Sequence, residues 1–476
     1  MSNDSGTHME AMLARQKAAS VRDGMPPAEK RIEWLEKSVD MLCTHGDALC
    51  DAMSADFGHR SKDQSNFSDI GSSIDALKYA KKNVRAWMRP SKRSAQFPLG
   101  VFGARAVVHY QPKGVVGIVS PWNFPVNLTF TPLAGVFAAG NRAMIKPSEF
   151  TEHTSQLMAE LFSQYYSDEE VAVVTGGPEV GAAFTKLPFD HLVFTGATSV
   201  AHHVMRAAAE NLVPVTLELG GKSPTIIGGS ADIEKAALRI MSGKTLNAGQ
   251  ICLAPDYVFV PEDKIGGFIE AARDAVATMF PSGLKDNDDY TSVLNQRHFD
   301  RLQSYLDDAR AKGADVIEIN PKAEDFSQQS HHKMPPIIVS GATDDMKVMQ
   351  DEIFGPILPV RSYKDTQEVV AYINAHPRPL GLYYFGSDAT ERDYVLNNTT
   401  SGGVTVNDVI FHVAQEDLPF GGVGSSGMGA YHGKDGFLEF SHKKAVYTQA
   451  AADLLAVVRP PYGKTFRKLI GSRLKP

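Results

Sequence analysis

Cysteine is scarce in this chain: its 476 residues include only three, at positions 43, 50 and 252. So few thiols cannot form a disulfide framework, which points to a reducing compartment and a cytoplasmic protein. A basic excess is also missing. The formal net charge is −7, a balance that argues against a nucleic-acid binder. No apolar run approaches the ~20 residues needed to cross a bilayer, so no integral membrane segment is expected. The opening stretch, Met1 to His8, is polar rather than basic-then-apolar, and reads as a frayed terminus with no secretion signal. No internal repeat of about 20–50 residues is visible, which excludes a solenoid or propeller.

What is present is an ordinary globular composition, 43% apolar and 22% charged, at a length that fits about three domain-sized units. Over 28–55, Ile32, Leu35, Val39, Leu42, Leu49 and Met53 recur at helical spacing. Cys43 and Cys50 fall on that apolar face and are expected to pack as small hydrophobes rather than bind metal with His45. Asp69 to Met88 reads as a second helix, stopped by Arg89-Pro90. Segment 89–110 mixes Pro, Ser, Arg and Gly with Val107, Val108 and Tyr110. It suits either an exposed two-stranded arm that pairs with another subunit or a surface hairpin closing on its own domain.

From residue 114 strands and helices alternate. Strands are expected at Val115–Val119, Ala143–Lys146, Val171–Thr175 and Leu192–Phe194, with helices at Val126–Ala139, 152–166, 178–187 and 199–210. Short, continuously apolar strands alternating with helices imply a doubly wound, Rossmann-like parallel sheet. A second α/β unit runs from about 220 to 430, with strands near 257–260, 381–385 and 403–406, and 421–436 reads as a Gly-rich loop.

Ligands of such sheets collect at the carboxyl ends of the strands, and three motifs fall there. Lys146 and Glu149 leave one strand. Phe194-Thr195-Gly196-Ala197-Thr198 joins another to a helix, whose first amides can receive an anion. Asn123 follows a third, in Ser120-Pro121-Trp122-Asn123-Phe124-Pro125. Downstream lie Glu218, in Leu217-Glu218-Leu219-Gly220-Gly221-Lys222, and Cys252, in Asn247-Ala248-Gly249-Gln250-Ile251-Cys252. A thiol, a carboxylate and an amide can oxidise an aldehyde through a thioester. The thiol attacks, the amide steadies the oxyanion, and the carboxylate activates the water that releases the acid.

The order and context of these segments resemble the NAD(P)-dependent aldehyde dehydrogenase superfamily over nearly the whole chain. Leu418-Pro419-Phe420-Gly421-Gly422, Tyr431-His432-Gly433-Lys434, Phe440-Ser441-His442-Lys443 and the run Asn407 to Asp417 look like the class-three-type members, especially bacterial coniferyl aldehyde dehydrogenases. The resemblance implies Cys252 as nucleophile, Glu218 as base and Asn123 as oxyanion donor together with the Cys252 amide. It implies an NAD site, with NADP possible, formed by Trp122, Lys146, Glu149, Thr195, Gly196, Ala197, Thr198, Leu219, Glu352 and Phe354. Lys146 and Glu149 would hold the adenosine ribose and the Gly196 turn the pyrophosphate. Glu352 would hold the nicotinamide ribose, with Phe354 beside the ring. Ala197 and Ala201 depart from the family's usual Ser and Gly, and the negative charge of Glu149 favours NAD. Pro132 and His442 stand where tetrameric branches carry a Lys and a Glu, so a homodimer without that proton relay is implied.

The implied division is an NAD-binding domain over 1–88 and 111–217 and a catalytic domain over 218–430. Bridging and oligomerisation segments follow at 89–110 and 431–460, and 461–476 is a basic tail. Phe124, Phe130, Phe411 and His412 are candidate walls for an aldehyde channel, suited to a phenylpropenal or a medium- to long-chain alkanal. The tail bears Arg459, Lys464, Arg467 and Lys468 among apolar residues and reads as solvated or partner-packed, with contact to an anionic membrane surface as the alternative. Rival functions are acyl transfer to coenzyme A, ester hydrolysis by the same thiol, and a non-catalytic binding or structural role on the same fold. Glu218 opposes the first, the dinucleotide motifs the second, and the intact Asn123, Glu218 and Cys252 set the third.

Overall fold

A computed structural model describes residues 2–474, and its strands form three sheets. The smallest joins β1 (Ser91–Arg93), β2 (Arg105–Pro112) and β16 (Ser441–Thr448), all antiparallel, with β2 in the middle. The segment 89–110 is therefore not a two-stranded unit: the C-terminal strand pairs with β2 along its full length, from Arg105 with Thr448 to Pro112 with Ser441. The outer edge of β16 has no partner strand among the described residues.

The second sheet holds β3 (Val115–Val119), β4 (Arg142–Lys146), β5 (Val171–Val173), β6 (His191–Gly196) and β7 (Val215–Leu219), parallel and in the order β7-β6-β3-β4-β5. Its strands are largely apolar because both faces are covered. Val116, Ile118, Ala143, Ile145 and Val193 enter one core, while Val115, Met144, Leu192, Phe194 and Leu217 enter the other. The chain runs from β3 outward to β5, then returns to the other side of β3 as β6. That reversal opens a crevice at the strand ends where ligands bind in such sheets.

The third sheet is ordered β10-β11-β12-β9-β8-β13-β14, parallel except for β10. Its members are β8 (Pro224–Ile227), β9 (Tyr257–Pro261), β10 (Asp315–Glu318), β11 (Ile337–Ser340), β12 (Ile357–Tyr363), β13 (Gly381–Phe385) and β14 (Gly403–Val406). The strands β9, β13 and β14 match those expected; β8, β10, β11 and β12 were not anticipated. A short strand, β15 (Gly427–Met428), lies within the expected Gly-rich loop and pairs antiparallel with β7, setting Gly427 opposite Glu218. Glu218 also pairs with Thr195 of β6, so the expected division between 217 and 218 falls inside a strand of the second sheet.

Three further expectations are corrected. Residues 2–8, read as frayed, begin a helix over Ser2–Asp23, while Met1 lies outside the described residues. Met9, Met12 and Leu13 form an apolar stripe that packs into the core with Leu192 and Phe194, and Gln16 Nε2 donates to the carbonyls of Ala143 and Asp168 at 2.9 Å each. Cys50 is buried but Cys43 is exposed, although both lie on helix Ala28–Phe57. The covering segment Asn66–Gly71 reaches only one of them, and Cys50 Sγ contacts Asn66 there. The second helix begins before Asp69: Lys62–Ser65, a wide turn over Asn66–Gly71 and Ser72–Trp87 run on without a break. The tail carries a helix, Lys464–Arg473, that buries nothing; residues 475 and 476 lie outside the described residues. No helix among the described residues is long and apolar enough to cross a membrane.

Candidate active site

Cys252 follows a turn whose backbone is held in the left-handed region. Asn247, Ala248 and Gly249 have φ of 50°, 51° and 71°, a run that is unfavourable for side chains bearing a Cβ and persists only when its surroundings enforce it. At Gly249 a Cβ would lie 2.4 Å from the Gly355 carbonyl oxygen, so only glycine fits. Hydrogen bonds supply the enforcement. Asn247 N donates to Gln64 Oε1 at 2.9 Å, and Gln250 Nε2 donates to the carbonyls of Asn247 and Ser292 at 2.9 and 3.0 Å. The turn thereby presents the thiol at a fixed place.

Asn123 is brought to the same turn. It is buried, and its Nδ2 donates to the Gln250 carbonyl at 3.2 Å. Its own carbonyl accepts from Arg60 Nη1 at 2.9 Å and from Asn247 Nδ2 at 3.1 Å. Arg60 is fully buried and paired with buried Asp69 at 2.7 Å, and Asp69 accepts from the amides of Val126 and Asn127. A buried ion pair of this kind needs further hydrogen bonds around it; Arg60 Nε has no partner, but Arg60 Nη1 and Asp69 Oδ1 are engaged. Here those bonds lock the Asn123 backbone to the helix that follows. Nothing in the sequence pattern distinguished Arg60, Gln64 or Asp69 from solvated helix residues; their positions three-dimensionally beside Asn123 are a product of the fold.

Glu218, on β7, is buried, and neither carboxylate oxygen has a hydrogen-bond partner. Burial pushes its pKa up to about 7, and the nearby Cys252 thiol opposes that rise. The thiol is close enough to exchange influence with the carboxylate, but no aligned hydrogen bond joins them. Burial and the Glu218 charge in turn raise the thiol well above its ordinary value. The resting pair is a neutral thiol beside a carboxyl poised near neutrality.

Two cavities meet here. The larger, about 780 Å³, contains Asn123, Glu218 and Cys252, together with Lys146, Glu149, Trp122, Thr195, Gly196, Ala197, Leu219, Glu352 and Phe354. Thr198 does not line it: its hydroxyl turns to the Ser425 carbonyl at 3.3 Å. Ala197 caps the helix Thr198–Glu210, so that helix's free amides open on the cavity at the crevice beside β6. Lys146 Nζ bridges the Pro147 carbonyl at 2.8 Å and Glu149 at 3.3 Å. Glu352 is half-buried with its Oε1 inaccessible and unpartnered, and burial followed by the Asp256 charge lifts it to about 8. It lies so close to Gly220 that a Cβ there would meet Oε2 at 2.0 Å. Lys222 anchors this corner, pairing with Asp256 and donating to the carbonyls of Val348 and Asp351. Trp122 stands between Phe354, at 5.3 Å, and His298, at 5.0 Å; His298, Lys222 and Asp256 also escaped notice in the sequence.

The smaller cavity, about 400 Å³, is lined by Phe124 and Phe411 but not by Phe130 or His412. Phe130 is wholly buried and stacks on Phe162, and His412 is held behind the wall by Thr405. Cys252 is the one described residue that lines both cavities. No cluster of metal-binding side chains occurs among the described residues.

Comparison with known proteins shows the family and the fold. The model of the aldehyde dehydrogenase family matches residues 3–446. A probable coniferyl aldehyde dehydrogenase of Caulobacter vibrioides is 61% identical, covering 98% of this chain and 97% of its own. The substrate-bound structure of Staphylococcus aureus AldH superposes with a TM-score of 0.92 at 35% identity, covering 98% and 99% of the two chains. A Sinorhizobium meliloti structure described as an NAD-dependent aldehyde dehydrogenase superposes at 0.83 with 27% identity, covering 93% and 86%.

Proposed function

The chain belongs to the aldehyde dehydrogenase family and oxidises an aldehyde to the carboxylic acid, and from that premise we propose that Cys252 is the nucleophile and an aryl propenal such as coniferyl aldehyde the substrate. The observation that carries the reading is the position of Cys252 where the two cavities meet, with Glu218 and Asn123 on one side of it. The larger cavity would hold the dinucleotide and the smaller one the aldehyde, so the sulfur stands where the two reactants meet.

The residues of the larger cavity fit NAD(P). The unpartnered Oε1 of Glu352 offers an acceptor for ribose hydroxyls, Gly220 leaves the space beside it, and the helix after Ala197 offers amides to a pyrophosphate. Glu149 at the cavity's edge disfavours a 2′-phosphate, which supports NAD over NADP. When bound, the cofactor supplies the acceptor for the hydride.

The protein's own groups do the rest. Cys252 passes its proton to Glu218, whose pKa near 7 suits it as an acceptor, and the sulfur bonds to the aldehyde carbon. The free N–H of the Asn123 amide and the Cys252 backbone N–H donate to the oxyanion. Loss of the hydride leaves a thioester. Glu218 releases the thiol's proton to solvent and then takes one from water; the hydroxide attacks the thioester carbon, the carbon–sulfur bond breaks to release the acid, and Glu218 returns its proton to the departing sulfur. A water-activating carboxylate is what separates this outcome from transfer to coenzyme A.

The unpaired outer edge of β16 and its exposed face support a homodimer built through the three-stranded arm. The three cysteines, all free, support a cytoplasmic setting. The decisive experiment follows reduced nicotinamide by absorbance with NAD or NADP and a panel of coniferyl aldehyde, benzaldehyde and straight-chain alkanals. Coniferyl aldehyde with NAD is expected to give the highest kcat/KM; a preference for alkanals would overturn the substrate reading.

A further inference from the structure

The smaller cavity is a slot between three helices. Ser72 and Asp75 line it from one, Asn127 and Thr131 from the second, and Arg239 and Ser242 from the third, Ile233–Thr245. The slot has a direction. Asn123, beside the Cys252 turn, leads into the second helix, and Asp69 of the first segment binds the amides of Val126 and Asn127. Both helices therefore start at the sulfur's end. Asp75 lies six residues beyond Asp69 and Thr131 four beyond Asn127, roughly 9 and 6 Å further along the slot at ~1.5 Å per residue.

Glu416 belongs to that far end. Asp75 is the charge that acts on it, and its backbone carbonyl packs against Gly433. No hydrogen bond or ion pair from the described residues reaches its carboxylate, which burial and Asp75 together push up to about 7. His432 stands next to Gly433 and lines the same slot; it is 6% exposed, and its Nδ1 has no hydrogen-bond partner. Burial lowers His432 to about 3, so the ring is neutral and offers a hydrogen bond rather than a charge. Between this end and Cys252 the walls include the rings of Phe124, Phe411 and Phe420.

A half-buried carboxylate with a like charge beside it and no donor from the protein is less favourable than one that accepts a hydrogen bond, which a ligand hydroxyl supplies. Aromatic walls suit a flat ring between that hydroxyl and the sulfur. A para-hydroxylated phenylpropenal measures about 8 Å from aldehyde carbon to phenol oxygen at ordinary bond lengths, close to the depth at which Asp75 lies. We propose that Glu416, assisted by Asp75 and His432 Nδ1, determines specificity by accepting a hydrogen bond from the phenolic hydroxyl of an aryl propenal. The inference rests on the smaller cavity being the aldehyde channel. It also defines what is refused: an anionic tail would face two carboxylates.

The test compares kcat/KM with NAD for coniferyl aldehyde, its phenol-methylated analogue, cinnamaldehyde, 4-aminobutanal and hexanal. The wild-type protein is expected to favour coniferyl aldehyde over both phenol-lacking aryl propenals about tenfold or more, because a site built around a hydroxyl rejects analogues without it. Glu416→Leu should bring those ratios towards one, chiefly through KM. Glu416→Gln, which keeps a carbonyl acceptor, should restore most of the preference. Wild-type ratios near one, or ratios that survive in the Leu variant, overturn the proposal. A preference for 4-aminobutanal assigns the carboxylates to a cationic tail and overturns it as well. Oxidation of hexanal without any aryl propenal instead removes the substrate reading beneath it. If the Leu variant does not fold, the wild-type ratios still decide.

Discussion

The two cavities that meet at Cys252 are made from different kinds of structure. The larger is built where strands end: Lys146 leaves β4, Gly196 closes β6, and Glu218 and Leu219 end β7. Each contributes a contiguous motif, because a strand end and the turn after it occupy neighbouring positions in the chain. The smaller is built from helix faces and a long loop, so its residues come at intervals of three and four from segments hundreds of positions apart. The difference is one of information: a turn that cradles a ligand is a local word, whereas a helical wall shows nothing until the helices pack.

The largest test of this contrast is at the junction. Cys252→Ala should reduce aldehyde oxidation ~10⁴-fold or more while NAD binding, followed by fluorescence titration, stays measurable; persisting turnover would show that the cavities do not share their chemistry at this sulfur. Next in size is Glu218→Gln, expected to slow steady-state turnover ~10²–10⁴-fold yet still yield a single burst of reduced cofactor. The sign of the accompanying pH effect is set by the base. Glu218 must be ionised to accept a proton, and its pKa is raised to about 7, so wild-type turnover should fall as pH drops through 7. Stopped-flow traces and a pH–rate profile check both points, and an unchanged steady rate in the Gln variant would remove the base role.

A smaller effect on chemistry, with a large one on stability, is expected at the wall between the cavities. Arg60→Met strands Asp69 as an uncompensated buried charge, a change of about 3–5 kcal/mol, visible as a lower midpoint in thermal or urea unfolding. An unshifted midpoint would mean that the Arg60–Asp69 pair does not brace Asn123. The mildest change lies at the rim of the larger cavity alone. Glu149→Gln removes the charge that opposes a 2′-phosphate and should raise the NADP-to-NAD ratio of kcat/KM about tenfold, worth about 1.4 kcal/mol. The preference among aldehydes should stay as in the parent protein, since Glu149 has no part in the smaller slot.

The contrast also accounts for what could be read in advance. Asn123, Glu218 and Cys252 each sit in a motif whose order was visible, and all three reach one cavity. Thr198 was placed with the cofactor residues because it follows Gly196, but the β15 segment that takes up its hydroxyl arrives from far along the chain. Phe130 and His412 were chosen as channel walls for their aromatic rings. Helix rotation sends Phe130 into the core against Phe162, and Thr405 ties His412 behind the wall. Cys43 and Cys50 share a helical face, yet only one of them lies beneath a covering segment. In each case residue type and spacing were read correctly and the neighbour was missing.

The amino-acid order alone determined the family, the parallel α/β architecture and the thiol–carboxylate–amide set, because alternating apolar strands and strand-end turns are local patterns. Only the tertiary structure decided that Glu218 is desolvated to a pKa near 7, that Arg60 and Asp69 hold Asn123 in place, and that Glu416 lines the slot with no donor on its carboxylate. Burial and electrostatic coupling depend on what packs against a group, and those partners are set by the fold rather than by adjacency along the chain.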